Sequence, residues 1–262
     1  MKRLIIRPGA IGDFIVSLPA LQSLRADYTE VWCPSALCAL APFADRAISL
    51  AASGIDRVGL TDAPEAIDRL RSFDDIQSWY GTNRPDFRSF VRGLGLPVQF
   101  HRALPAAAIQ HAADFYLAQV NQPGGAVPMI PLPPVPREDF AVLHPFSGSP
   151  KKNWPLARFQ EIARCLEQRM PVYWCRGPED HLPGAVLIPS LFDLAVWLSK
   201  ARVFIGNDSG ITHLAAASGT PTIALFGPTN PIVWAPRGPQ CRTIANTSIE
   251  NITAEQVLKA VP

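Results

Sequence analysis

The sequence predicts an α/β protein built from two open halves, each a parallel sheet with crossover helices. Three observations carry that expectation. Short apolar, β-branched runs alternate with helix-patterned stretches along the 262-residue chain. A proline- and glycine-rich segment, NQPGGAVPMIPLPPVPRED from Asn121 to Asp139, interrupts the alternation midway. Beyond it the same alternation restarts.

In the first half, Lys2 to Arg7 (KRLIIR) reads as a strand and Asp13 to Arg25 as an apolar-faced helix. Pro19 is expected to bend that helix or to confine its regular part to one side. EVWC (Glu30 to Cys33), AISL (Ala47 to Leu50) and DIQSW (Asp75 to Trp79) read as further strands, with helical stretches such as Ala63 to Arg71 between them. In the second half, Phe140 to His144, Pro171 to Cys175, Arg202 to Gly206 and Thr222 to Phe226 read as strands. Leu156 to Gln168, Leu191 to Ala201 and Ile211 to Ser218 read as helices, and Ser190 with Asp193 forms an S-x-x-D capping box. The expected division is 1–122, a linker over 123–138, and 139–262, with the site in the cleft between the halves.

Composition excludes several classes. The net charge of +2 and the lack of a Lys/Arg-rich run argue against nucleic acid. The apolar run after Met1-Lys2-Arg3 ends at Pro8 and Gly9, too soon for a signal segment or a membrane span, so a cytoplasmic protein is expected. Five cysteines without a C-x-x-C pair and five scattered histidines offer no metal-ligand spacing.

Four stretches can carry chemistry. In FIGNDSGITHLAAASGTP (Phe204 to Pro221), a strand, a tight turn and a helix start follow one another, with Asp208 or Ser209 able to cap the helix. Such a turn aims free backbone N–H groups and a positive helix end at an anion, most often a phosphate. In RPGAIGDF (Arg7 to Phe14), Asp13 lies where a strand end meets a helix, either as a cap or as a general base for a hydroxyl. In HPFSGSPKKNWP (His144 to Pro155), Ser147, Ser149, Lys151 and Lys152 are phosphate ligands or solvated surface groups. In WCRGPED (Trp174 to Asp180), Glu179 is a ribose-binding acid or an ordinary loop acid. Arg88 and Arg92, four apart on one helix, form a solvated face or an anchor for an anionic acceptor.

These pieces together resemble glycosyltransferase family nine, the ADP-heptose:lipopolysaccharide heptosyltransferases. G-D running to L-P-A-L, K-x-W-P after a small hydroxyl loop, G-x-E after a strand, and D-S-G-x-x-H-x-A-A-x-G-x-P occur in the family's order. The resemblance implies a GT-B fold, two Rossmann-like domains whose parallel sheets face a central cleft, here with a shortened N-terminal domain. It implies inverting transfer of a sugar, heptose first among the options, from an ADP-sugar to a saccharide or glycolipid acceptor such as lipopolysaccharide core. Asp13 would be the base, and Lys152 would neutralise the leaving group. Ser147, Ser149 and Lys152 would hold the diphosphate, Glu179 the ribose and Asp208 the sugar hydroxyls. Ser209, Gly210 and His213 would complete the phosphate cradle. No cofactor and no metal is expected, since D-x-D is lacking and lysine with helix dipoles can serve. The implied place is the cytoplasm, peripheral to the inner membrane. The alternatives are transfer from another nucleotide sugar and a non-catalytic nucleotide-sugar-binding module.

Overall fold

A computed structural model describes residues 1–105 and 109–262. Its first sheet contains β1 (Lys2–Ile6), β2 (Tyr28–Cys33), β3 (Arg46–Ser49), β4 (Asp75–Ser78) and β5 (Val98–Phe100). The order is β3-β2-β1-β4-β5 and every pair is parallel. Helices α1 (Ile11–Ser23), α2 (Leu50–Ser53), α3 (Pro64–Arg71) and α4 (Pro85–Gly93) connect the strands, and α5 (Ala112–Gln119) follows β5. The second sheet alternates β6 (Ala141–His144), α6 (Leu156–Leu166), β7 (Val172–Trp174), α7 (Leu191–Ser199), β8 (Val203–Asn207) and α8 (Gly210–Ala217). It continues through β9 (Thr222–Phe226), α9 (Pro231–Trp234), β10 (Cys241–Ala245) and α10 (Ala254–Ala260), with all-parallel order β10-β9-β8-β6-β7.

Each sheet reverses its winding once. The first does so between β1 and β4, the second between β6 and β8. A crevice opens at such a reversal outside the carboxyl ends of the strands, because the flanking connections leave in opposite directions. The central strands are buried on both faces: every residue of β8 and β9 is inaccessible, which explains their unbroken apolar runs.

The halves are not separated by an empty cleft. One apolar core passes from Ile15, Leu18 and Tyr116 on α1 and α5 to Leu194, Leu198, Leu214 and Ala215 on α7 and α8. Separate cores on the outer faces join α3 and α4 to the first sheet, and α6 and α10 to the second. The middle position of α1 explains its burial from Phe14 to Leu21, all the way round rather than on one stripe. It also explains Pro19. The helix runs through that residue to Ser23, since packing on every side outweighs the missing backbone bond.

The proline-rich segment contains no helix or strand, yet it is docked. Ile130 is buried and donates its N–H to Ala217 O (2.9 Å), while Gln22 Nε2 donates to Met129 O (3.0 Å). Polar ties also cross between the halves. Arg237 Nη1 and Nη2 donate to both oxygens of Asp114 at 2.7 and 2.8 Å, and His111 Nε2 lies 2.8 Å from Ala235 O.

Arg237, bonded to both its oxygens, holds the Asp114 carboxyl down at about 2. A depressed carboxyl contributes stability above its ordinary pKa and loses it as the pH falls through the folded value. Asp114→Asn should therefore destabilise the chain by about 1–2 kcal/mol at pH 7, allowing for the pair's partial exposure. In denaturant titrations the gap between parent and variant should close between pH 4 and pH 2. A gap that persists at pH 2 would show that shape, not charge, is what Asp114 supplies.

Candidate active site

At the carboxyl end of β1 the chain turns through Gly9, whose φ of +124° lies in the region that favours glycine. Ala10 then caps α1, and Asp13 in the first turn accepts the Ala10 N–H at 3.3 Å through Oδ2. Asp13 thus assists the cap with one oxygen, while Oδ1 makes no hydrogen bond among the described residues. Beneath this turn lies Arg7, 1% exposed. Its Nη2 donates to Asp13 O (2.8 Å), Nη1 to Pro8 O (3.1 Å) and Nε to Ser17 Oγ (2.9 Å), and its guanidinium stacks 4.6 Å from the Tyr116 ring. A buried cation served by carbonyls, a hydroxyl and a π-face, with no carboxylate partner among the described residues, is an expensive feature. It fixes the turn that carries Asp13.

The second half answers with two loops. After β6, Ser147 Oγ lies 2.8 Å from Ser149 O and 2.6 Å from Asn153 Oδ1, so its proton is committed within the loop. Ser149 is half-buried and gives its N–H back to Ser147 Oγ at 3.3 Å. A 3-10 turn over Pro150–Lys152 follows, in which Lys151 is exposed and Lys152 is not. Lys152 Nζ pairs with Asp208 Oδ2 at 3.1 Å, Asp208 itself being buried. Ser209, rather than Asp208, caps α8 by accepting the Thr212 N–H at 3.3 Å.

The two switch points meet here. A Cβ added to Gly210 would stand 2.7 Å from Ile11 Cβ and 3.2 Å from Gly12 N, and one added to Gly12 would stand 3.2 Å from His213 Cδ2. Only glycines let the amino ends of α1 and α8 approach this closely. His213 is buried in the seam, and burial pushes it down to about 4. Asp208 and Asp13 pull against that, while His111 and Lys152 add to it. Asp13, Lys152, Asp208, Ser209, Gly210 and His213 are therefore gathered at one crevice. Ser147 and Ser149 line the approach.

Three further expected residues, Glu179, Arg88 and Arg92, make no bond to this group among the described residues. Glu179 is exposed in the turn after β7, whose shape depends instead on Asp180 Oδ2 accepting the Gly177 N–H (2.8 Å). Arg88 and Arg92 ride on α4, which packs on the outer face of the first sheet. Arg88 lies 5.5 Å over Phe100 and Arg92 is exposed. Nearer the strand ends, and not singled out from sequence, Arg84 donates to Tyr80 OH (2.9 Å). Trp79 stacks on His101 at 4.4 Å, and its buried indole N–H has no partner among the described residues. A cavity of about 540 Å³ lies away from this crevice, at the amino ends of β8 and β9, lined by Arg137, Arg202 and Arg242. No group of three His, Cys, Asp or Glu side chains able to hold a metal occurs among the described residues.

Residues 105–260 match the model of glycosyltransferase family 9 (heptosyltransferase). The chain belongs to this family. Among curated relatives, lipopolysaccharide heptosyltransferase 1 of Pseudomonas aeruginosa is 32% identical over 162 residues, 50% of this chain and 44% of that one. Lipopolysaccharide heptosyltransferase 3 of Escherichia coli is 30% identical over 119 residues, 38% of this chain and 34% of that one. These matches span less than half the length of the curated relatives. The fold matches more widely. The E. coli ADP-heptose lipopolysaccharide heptosyltransferase II structure aligns with TM-score 0.74 at 20% identity, covering 99% of this chain and 97% of that one. A family 9 glycosyltransferase structure from Veillonella parvula gives 0.77 at 19% identity, covering 99% and 95%. The family 9 chain thus has the GT-B fold of two parallel-sheet α/β domains.

Because burial dominates at His213, its ring should stay neutral from pH 8 down to pH 5 and take a proton only near pH 4. The unfolded chain takes that proton near the ordinary value of about 6.5, so His213's contribution to stability should fall between there and pH 4. Ring chemical shifts followed by NMR check this. A midpoint near neutrality would mean that water reaches the seam.

Proposed function

We propose that the chain transfers a sugar from a nucleoside-diphosphate sugar, ADP-heptose first, to a hydroxyl of a saccharide acceptor, with inversion at the anomeric carbon. The observation that carries this reading is the meeting of Asp13 with the Lys152–Asp208 pair where both sheets reverse. The names of the relatives, heptosyltransferases of lipopolysaccharide, and of a structural neighbour acting with ADP-heptose support the donor and the acceptor class. Residues 1–122 would form the acceptor side and 139–262 the donor side, joined by 123–138. A lipopolysaccharide-like acceptor would bring the protein to the cytoplasmic face of the inner membrane. Among the described residues, no helix is long and apolar enough to cross it.

In this scheme Asp13 takes the proton of the acceptor hydroxyl, and the oxygen attacks the anomeric carbon as the bond to the diphosphate breaks. Lys152 and the amino end of α8 face the charge that grows on the leaving phosphate. Lys152 already has a partner. The diphosphate must share or displace Asp208, and Asp208, released, accepts from sugar hydroxyls. Glu179, exposed and without a hydrogen bond among the described residues, takes the ribose. Ser147 and Ser149 shape the loop, and Ser209, Gly210 and His213 complete the wall beside the phosphates.

Asp13→Asn keeps the cap and should lower the single-turnover rate by about 10²–10⁴ while donor affinity holds. Lys152→Ala should weaken the donor and also slow transfer, since charge on the leaving group increases during reaction. If Asp13→Asn binds ADP-heptose poorly but transfers normally at saturation, Asp13 is not the base. A parent chain that binds ADP-heptose but transfers it to none of a panel of acceptor sugars would point to a binding module.

Asp208→Asn sets Lys152 free. ADP, which lacks the sugar, should then bind a few-fold more tightly, by about 1 kcal/mol, because it no longer competes with a carboxylate for Lys152. Transfer from ADP-heptose should slow. Calorimetry with ADP and a transfer assay test both signs, and weaker ADP binding would place Asp208 on the nucleotide itself.

A further inference from the structure

Asn207 is the last residue of β8 and is 0% exposed. Its carboxamide works in two directions. Oδ1 accepts the Trp154 N–H at 3.0 Å, and Nδ2 donates to Pro145 O at 2.8 Å. The orientation of the amide follows from its partners, since an N–H needs an acceptor and a carbonyl needs a donor. Pro145 and Trp154 are the two ends of the loop that carries Ser147, Ser149 and Lys152. One buried side chain therefore closes that loop from beneath.

Neighbouring groups stiffen the bracket. Trp154 is buried, its indole Nε1 donates to Ile252 O (2.9 Å), and its ring meets Phe159 edge-on at 5.0 Å. Thr212 Oγ1 donates to the Asn207 carbonyl, which ties the first turn of α8 to the same residue. Asp208, next along, receives Lys152. Aspartate at 207 would set an oxygen against the Pro145 carbonyl. Serine is too short to span both ends.

We propose that Asn207 is the positioning residue that sets the donor loop before any donor arrives. The proposal rests on the reading of this loop as the diphosphate site. Each residue that a ligand must order afresh weakens binding by roughly five- to thirtyfold. A bracket that holds the loop in advance removes that loss, so the donor meets Lys152 already in place.

The test measures ADP binding by calorimetry on the full chain for the parent, Asn207→Ser and Asn207→Asp. Thr220→Val serves as control, because it removes a buried hydroxyl bonded to Leu198 O (2.8 Å) in the same half. Asn207→Ser should weaken ADP by at least tenfold and Asn207→Asp by a similar factor, with Thr220→Val within twofold of the parent. In transfer assays the Asn207 variants should raise the donor KM, leave the acceptor KM unchanged and keep kcat at donor saturation within about threefold. Folded Asn207 variants with parental ADP affinity would overturn the proposal while leaving the donor site intact. A parent that fails to bind ADP would instead remove the donor reading, and the donor role of Asn207 with it. Should the variants not fold, amide exchange of the nucleotide-free parent decides. The Trp154 N–H should exchange as slowly as the β8 amides, and exchange at an exposed-loop rate would overturn the proposal.

Discussion

The close approach of α1 and α8 at Gly12 and Gly210 is the constraint on which the site depends. A single Cβ at Gly210 would stand 2.7 Å from Ile11 and force the helices apart. Two helix amino ends brought together carry like partial charges, so the arrangement needs negative groups close by. Asp13 and Asp208 supply them, one from each half. Lys152 pairs with Asp208, Arg7 holds the Asp13 backbone carbonyl from beneath, and His213 between them is kept neutral by burial. The seam therefore sets two carboxylates and the paired Lys152 beside two positive helix ends, and in the proposed reading an anionic donor would enter by displacing a carboxylate.

The shared core follows from the same approach. Helices α1 and α5 from one half and α7 and α8 from the other bury their apolar faces against each other. Chain pattern alone favours two independent halves with a hinge, because a proline-rich segment between two periodic regions has the look of a spacer. Ile130 and Met129 instead fasten that segment across α1 and α8. Separating the halves would expose Leu214, Ala215 and Leu18 to water, so any opening is limited by apolar area as well as by the Asp114–Arg237 pair.

What was legible in the sequence divides along physical lines. Central strands such as β8 and β9 are buried on both faces and are written as continuous apolar runs. The edge strands β5 (VQF) and β10 (CRTIA) are short and partly exposed, and they lack such a run. Asp13, Lys152 and Asp208 could be found because each polar residue follows a buried strand. Arg7, Asn207 and Trp79 could not, because what they do depends on partners that only folding brings together. Asn207 bonds to residues 53 and 62 positions away. At Ser190 only one half of the expected box forms among the described bonds: its Oγ accepts the Asp193 N–H.

The halves differ in how completely their hydrogen bonding is spent. In the second half, Asn207, Thr212 and Trp154 are joined in one network, Ser147 is bonded within its own loop, and Lys152 is paired with Asp208. The two buried side-chain donors without partners among the described residues, Trp79 Nε1 and Arg88 Nε, both belong to the first half. A buried donor left unmet weakens the fold by about 1–3 kcal/mol, an amount that a closed network does not forfeit. No buried side-chain donor of the second half is left unmet among the described residues, so in the proposed reading a ligand there would exchange one partner for another. Of the two, Arg88 lies on the outer-face helix α4, whereas Trp79 Nε1 lies beside His101 near the strand ends, where water or, in the proposed reading, an acceptor hydroxyl would meet it.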